Sequence, residues 1–212
     1  MLSRYAIPRL QTESESAQLL VLGTRARGAV GPVLSGPVHF GPMLSGSVVR
    51  SVVPRSACPV VVVREEHGGL RHGSVVVGVD HRSTSDAALR FALEEARARG
   101  VGLVAVHAWR DAGFGSERLL ADYAPTMVAA QRRCLTDELM AWREKYPDVD
   151  VQEVVRMHPP VGTLLDAAVG AALLVVGSRR RGPVRGMVLG SVGQAVLHRG
   201  PCPVAVVPPV ER

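Results

Sequence analysis

Two stretches of this 212-residue chain are versions of one design. Leu19-Leu20-Val21-Leu22-Gly23-Thr24-Arg25 aligns with Leu173-Leu174-Val175-Val176-Gly177-Ser178-Arg179 at an offset of 154. Further on, Gly46-Ser47-Val48 aligns with Gly190-Ser191-Val192, and Cys58-Pro59-Val60 with Cys202-Pro203-Val204, at an offset of 144. The change has a visible source: GPVLSG at 31–36 recurs as GPMLSG at 41–46, so the first copy carries an insertion in its loop. A repeat of this kind constrains the fold before any composition is read. Each copy has to be the same supersecondary unit, and each has to find cover for the same apolar runs.

The copies are unequal. A long preamble, from Ser74 to about Val155, precedes the second copy and has no counterpart before the first. The expected organisation is therefore a truncated unit at 1–64, a polar, Gly-rich linker at 65–73, and a complete unit at 74–208. Within the complete unit, β-branched or apolar runs at 74–79, 101–108, 149–155, 172–176 and 204–207 predict strands. Helical spacing predicts helices over 83–99, 117–146 (interrupted near Pro125), 161–171 and 191–198. Five apolar strands alternating with helices predict an α/β fold, a five-stranded, parallel, doubly wound, Rossmann-like sheet. The partial copy of the same unit precedes it.

Composition narrows the function classes. No apolar run approaches the roughly 20 residues that span a membrane, and the first residues lack the apolar block of a secretory signal, so the expected location is cytoplasmic. The net charge of +6 raises nucleic acid as a partner. Against it, Lys145 is the only lysine and aromatic residues make up 4%, too few for base-stacking platforms. Cys58, Cys134 and Cys202 form no CxxC pair, so no zinc site is expected, and the two in matching CPV contexts read as small core residues.

In a doubly wound sheet a ligand sits beyond the carboxyl ends of the strands, where the strand order reverses. Two predicted strands run out at that edge: VVVGVD, carrying Gly78 and Asp80, and VVGSRRRG, carrying Gly177, Ser178 and Arg180. The second continues through a Gly-rich loop into Gly190-Ser191-Val192, the start of a helix. A helix N-terminus presents unpaired N–H groups and partial positive charge to a phosphate. Ser191 adds a hydroxyl and an N-cap, and Gly177 and Gly190 have the freedom for close approach and positive φ. Arg179, Arg180, Arg181 and Arg185 add cationic charge, and Asp80 can accept from a ribose hydroxyl or a base amino group. Asp80 can equally cap the helix that follows it. His107 and His158 read as structural and loop residues. GxSxG, HExxH and GxxxxGK[ST] are absent from the sequence, so no catalytic set is expected.

At these residues the chain resembles the universal stress protein family. The pattern Gly-x2-Gly-x9-Gly-Ser/Thr after a strand and before PCPVAVV resembles the family's signature. The opening VVVGVDHRSTSDAALRFALEEARARG resembles its first strand and helix, including the aspartate. The resemblance implies an adenine nucleotide alpha hydrolase-like fold. It also implies a nucleotide, ATP with Mg2+ or a related adenine nucleotide, held by Gly78, Asp80, Gly177, Ser178, Arg180, Gly190, Ser191 and Val192. A stress-response role as a nucleotide-sensing regulator would follow. The alternatives are a nucleotide-free interaction module or a weak hydrolase. The partner implied besides the nucleotide is a second copy, or the first repeat itself, pairing Val60–Val63 with Val204–Val207. Arg180 stands where the motif has its second glycine and Pro183 stiffens the loop. The first copy has Ala26 at that glycine position and no preceding strand to supply an aspartate, so no complete nucleotide site is expected within 1–64.

Overall fold

The computed structural model describes residues 3–24, 47–64, 73–80, 85–110, 117–180 and 187–209. The duplicated loop segment at 31–46, Ala26, most of the linker, Arg181, Pro183 and Arg185 lie outside the described residues. The chain runs α1 (Ser3–Glu13), β1 (Leu20–Thr24), α2 (Ser47–Val52), a 3-10 turn at Val53–Arg55 and β2 (Val60–Arg64). It continues with β3 (Val75–Gly78), α3 (Ser85–Arg99), β4 (Leu103–Ala108), α4 (Glu117–Lys145), β5 (Val151–Arg156) and α5 (Pro160–Ala167). The last elements are β6 (Leu173–Gly177), the two-residue strands β7 (Arg179–Arg180) and β8 (Met187–Val188), α6 (Ser191–Arg199) and β9 (Val204–Val207).

Seven strands form one sheet in the order β1-β2-β9-β6-β3-β4-β5. The five strands of the complete unit are parallel, as expected, because each is fed by a crossover helix. The order reverses at β3, which pairs with both β4 and β6. The two repeat copies fold alike to the level of single hydrogen bonds. Leu20 N–H donates to the Pro59 carbonyl at 2.9 Å, and Leu174 N–H to the Pro203 carbonyl at 2.9 Å. The parallel pairs Leu20–Val60 and Leu174–Val204 share one register.

The first copy joins the sheet through β2, which pairs antiparallel with β9: Val60 with Val206, Val61 with Ala205, Val62 with Val204. The expected pairing of these two runs is thus made within the chain. It follows from burial, since a run of four valines leaves an unpaired strand edge open to association unless another strand covers it.

Strand residues alternate between two cores. Val75, Val77, Leu173, Val175, Ala205 and Val207 face α3 and α4. Val60, Val62, Val76, Leu174, Val176, Val204 and Val206 face α1, α2, α5 and α6. Helix α3 offers a small-residue stripe, Ala88, Ala92 and Ala96 with Leu89 and Leu93, all fully buried, which lets it lie close on the sheet.

One expectation needs correcting, and two features carry no clear sequence signal. Helix α4 is continuous through Pro125, because a proline removes one backbone bond while Leu135 and Leu139, both fully buried, anchor the helix further along. Helix α1 had no clear signal in its polar, Pro8-bearing sequence and occupies the position that α5 takes in the second copy. The Arg179–Arg180 segment forms a ribbon with Met187–Val188. Arg180 therefore sits in extended backbone, which requires no positive φ at the motif's second glycine position.

Candidate functional site

A crevice of about 150 Å3 opens where the strand order reverses, at the carboxyl ends of β3 and β6. Gly78, Asp80, Gly177, Gly190, Ser191 and Val192 all line it. Six of the eight residues expected from the sequence are thereby brought to one place from three segments of the chain.

Each wall has a local cause. Strand β3 ends in Gly78, where a Cβ would lie 3.3 Å from Cδ2 of Leu164, so glycine keeps the floor open. Asp80 follows, and its backbone N–H donates to Ser85 Oγ at 3.1 Å while Ser85 Oγ donates to Asp80 Oδ1 at 2.8 Å. Ser85, 3% exposed, is the first residue of α3, so the aspartate is tied to that helix as well as lining the crevice. The opposite wall is the first turn of α6. Gly190 is its N-cap, with φ −62° and ψ 165°, and its carbonyl accepts from Gln194 N–H at 2.9 Å. Helix geometry leaves the N–H groups of Ser191, Val192 and Gly193 without intrahelical acceptors, at the positive end of the helix dipole. Gly193 also lines the crevice.

Two roles differ from the sequence reading. The N-cap is Gly190 with no side-chain hydrogen bond, and Ser191 is the first helical residue, which leaves its hydroxyl to the crevice. Gly190 is extended, and the glycines with positive φ among the described residues are Gly100 (φ 64°) and Gly170 (φ 77°), neither of which belongs to the motif.

One expected residue whose side chain the structure describes does not line the crevice. Ser178, 1% exposed, is turned into the protein, and its N–H donates to the Val207 carbonyl at 2.8 Å. Strand alternation explains this, since Gly177 and its neighbour face opposite ways. Arg180 belongs to the β7–β8 ribbon, and its side chain lies outside the described residues.

Residues that sequence reasoning missed also line it: Val106 and Ala108 of β4, Pro160 and Leu164 of α5, and Ser85, with Val79 and Val176 at the strand ends. The strand ends could have been found from topology, because β4 neighbours β3. Leu164 gave no local signal. His107 is 7% exposed and lies behind the crevice, with Nδ1 2.9 Å from the Val79 carbonyl and its ring stacked 5.4 Å from that of Trp109. A second groove, about 810 Å3, passes Arg156, His158 and Asp166 beside β5. It has no helix N-terminus in its lining. Among the described residues no cluster of His, Cys, Asp or Glu could hold a metal ion, and no helix is long and apolar enough to cross a membrane.

Fold and crevice together define an α/β protein of the doubly wound class with a polar-edged pocket at its topological switch point. The chain belongs to the universal stress protein family, whose pattern matches residues 72–208. It is 41% identical over 207 residues to Universal stress protein Rv1996 of Mycobacterium tuberculosis, covering 94% of this chain and 62% of that protein. It is 38% identical over 203 residues to Universal stress protein Rv2005c of the same organism, covering 94% of this chain and 65% of that protein. The chain therefore spans under two thirds of the length of these relatives. Among solved structures, a universal stress protein from Archaeoglobus fulgidus superposes with a TM-score of 0.64 at 22% identity, over 96% of this chain and 67% of that one. That likeness concerns the fold.

Proposed function

We propose that the chain binds an adenine nucleotide, ATP with Mg2+, in the crevice of residues 74–208. In this reading it acts as a nucleotide-sensing regulator in a cytoplasmic stress response. One observation carries the reading: the N-terminal turn of α6, the Gly78 floor and the Asp80 carboxylate converge on one crevice at the switch point. The N–H groups of Ser191, Val192 and Gly193 and the Ser191 hydroxyl would hold phosphate oxygens without a lysine. Val106, Ala108 and Leu164 offer an apolar face for the base, and Asp80, fixed by Ser85, would accept from the nucleoside. Mg2+ would offset triphosphate charge; the chain's part is to orient the nucleotide and screen it from water. The family name borne by the relatives supports the stress-response setting. Residues 1–64, 65–73 and 74–208 are read as truncated unit, linker and complete unit.

Binding to partners through β9 is the less favoured reading, because β2 already covers that edge within the chain. The test is calorimetric titration with MgATP, beside Asp80→Asn and Ser191→Ala. Saturable one-site binding that both variants weaken at least tenfold is expected. No heat up to millimolar MgATP from folded protein would sink the proposal.

A further inference from the structure

We infer that Arg64, carried by the first repeat copy, is a positioning residue for the crevice of the second. It anchors the C-terminal end of α6, whose N-terminal end forms a wall of the crevice. The inference rests on the nucleotide reading above for its ligand, and not for its mechanics.

Arg64 is the last residue of β2. Its guanidinium donates from Nη2 to the Leu197 carbonyl and from Nη1 to the Gly200 carbonyl, the latter at 3.3 Å. Both acceptors lie at the end of α6, where the last carbonyls lack intrahelical donors and the helix dipole is negative. A planar, two-pronged donor matches a pair of carbonyls in a way that a single ammonium does not. The end it grips is already tightly built. Gly200 N–H donates to the Val196 carbonyl at 2.7 Å, and a Cβ at Gly200 would lie 2.6 Å from Cγ2 of Val204.

Helix α6 has nine residues, so its two ends are only about 13 Å apart. A rod this short transmits axial position. Holding Leu197 and Gly200 sets where Gly190, Ser191 and Val192 stand relative to Gly78 and Asp80. The repeat shows that the arrangement is one-sided. At the offset that aligns Cys58 with Cys202, Arg64 aligns with Pro208, which has no side-chain donor. The first copy lends an anchor to the second, and among the described residues Pro208 returns no equivalent. The copy that receives it is the one whose strand order builds a crevice.

The experiment compares the full chain with Arg64→Met, Arg64→Lys, Ser191→Ala and the Arg64→Met/Ser191→Ala double variant. MgATP affinity is read by calorimetry, and amide hydrogen exchange is followed without nucleotide. Arg64→Met should weaken MgATP binding about fivefold, the scale of a charge at a helix terminus. It should speed exchange over 194–200 and leave α3 unchanged, Arg64→Lys should restore part of both, and the double variant should be non-additive. Wild-type affinity in Arg64→Met, or additive losses with unaltered exchange, would overturn the inference. If the wild-type chain binds no MgATP, the nucleotide reading fails and exchange alone decides: unaltered α6 exchange in Arg64→Met overturns the anchor. Should Arg64→Met fold poorly, Arg64→Lys carries the test, and wild-type affinity with wild-type exchange overturns the two-carbonyl grip.

Discussion

The seam between β2 and β9 makes a quantitative claim. Val62 is 2% exposed, pairs with Val204 at 2%, and packs in the core shared with Leu22, Val52 and Leu197. Val62→Ala removes two buried carbon groups and leaves a cavity that the β-sheet on either side cannot close. Transfer and cavity contributions together come to about 2.5 kcal/mol. In a chain of this length that corresponds to a fall in Tm of about 5 to 10 °C. Val21→Ala is the control, because Val21 lies on the neighbouring β1 but is 62% exposed, and it should cost less than about 0.5 kcal/mol. Urea unfolding followed by circular dichroism measures both. A double variant with Val204→Ala should be non-additive, since the two side chains share one cavity. If Val62→Ala unfolds within about 0.5 kcal/mol of wild type, the seam is not a buried interface and the docking of the first copy on β9 is refuted.

Two further outcomes follow from particular contacts. Gly78→Val puts a branched side chain against Leu164, 3.3 Å from where its Cβ would stand, in a strand position that tolerates branching. MgATP binding should be lost while the far-ultraviolet spectrum is kept, and wild-type affinity in the folded variant would remove Gly78 from the site. Burial, with the charges of Arg64 and Arg50, lowers the pKa of His198 below its usual 6.5. The unfolded chain then binds this proton more readily than the folded one. The contribution to stability is fully present above pH 6.5 and is lost as pH falls from there through the lowered folded value. His198→Gln should flatten that part of the curve of urea midpoint against pH between 7.5 and 5, and identical slopes would refute the assignment.

Much of the site was legible because it is built from backbone. Gly177, Gly190 and Ser191 keep their spacing in the sequence, and the end of a strand followed by the start of a helix is a local pattern. Ser85 and Leu164 were not legible, because each enters the crevice from an element whose own sequence says nothing of where it packs. Ser178 misled for a related reason: adjacency to Gly177 in sequence means the opposite side in a strand.

The repeat shows where sequence stops. By itself it determined that the aligned runs holding Leu20–Thr24 and Leu173–Gly177 would make equivalent strands, because their period and turn chemistry are local. It did not determine what would cover them. Leu173 and Val175, at 1% and 0% exposure, lie in the core under α3 beside β3; their counterparts, Leu19 just before the outermost strand and Val21 within it, are 37% and 62% exposed. Identical patterns acquire different burial because burial belongs to neighbours, and neighbours are chosen by the whole sheet. The same choice gave the second copy a flanking strand that ends in Gly78, with Asp80 just beyond it, and with it the crevice.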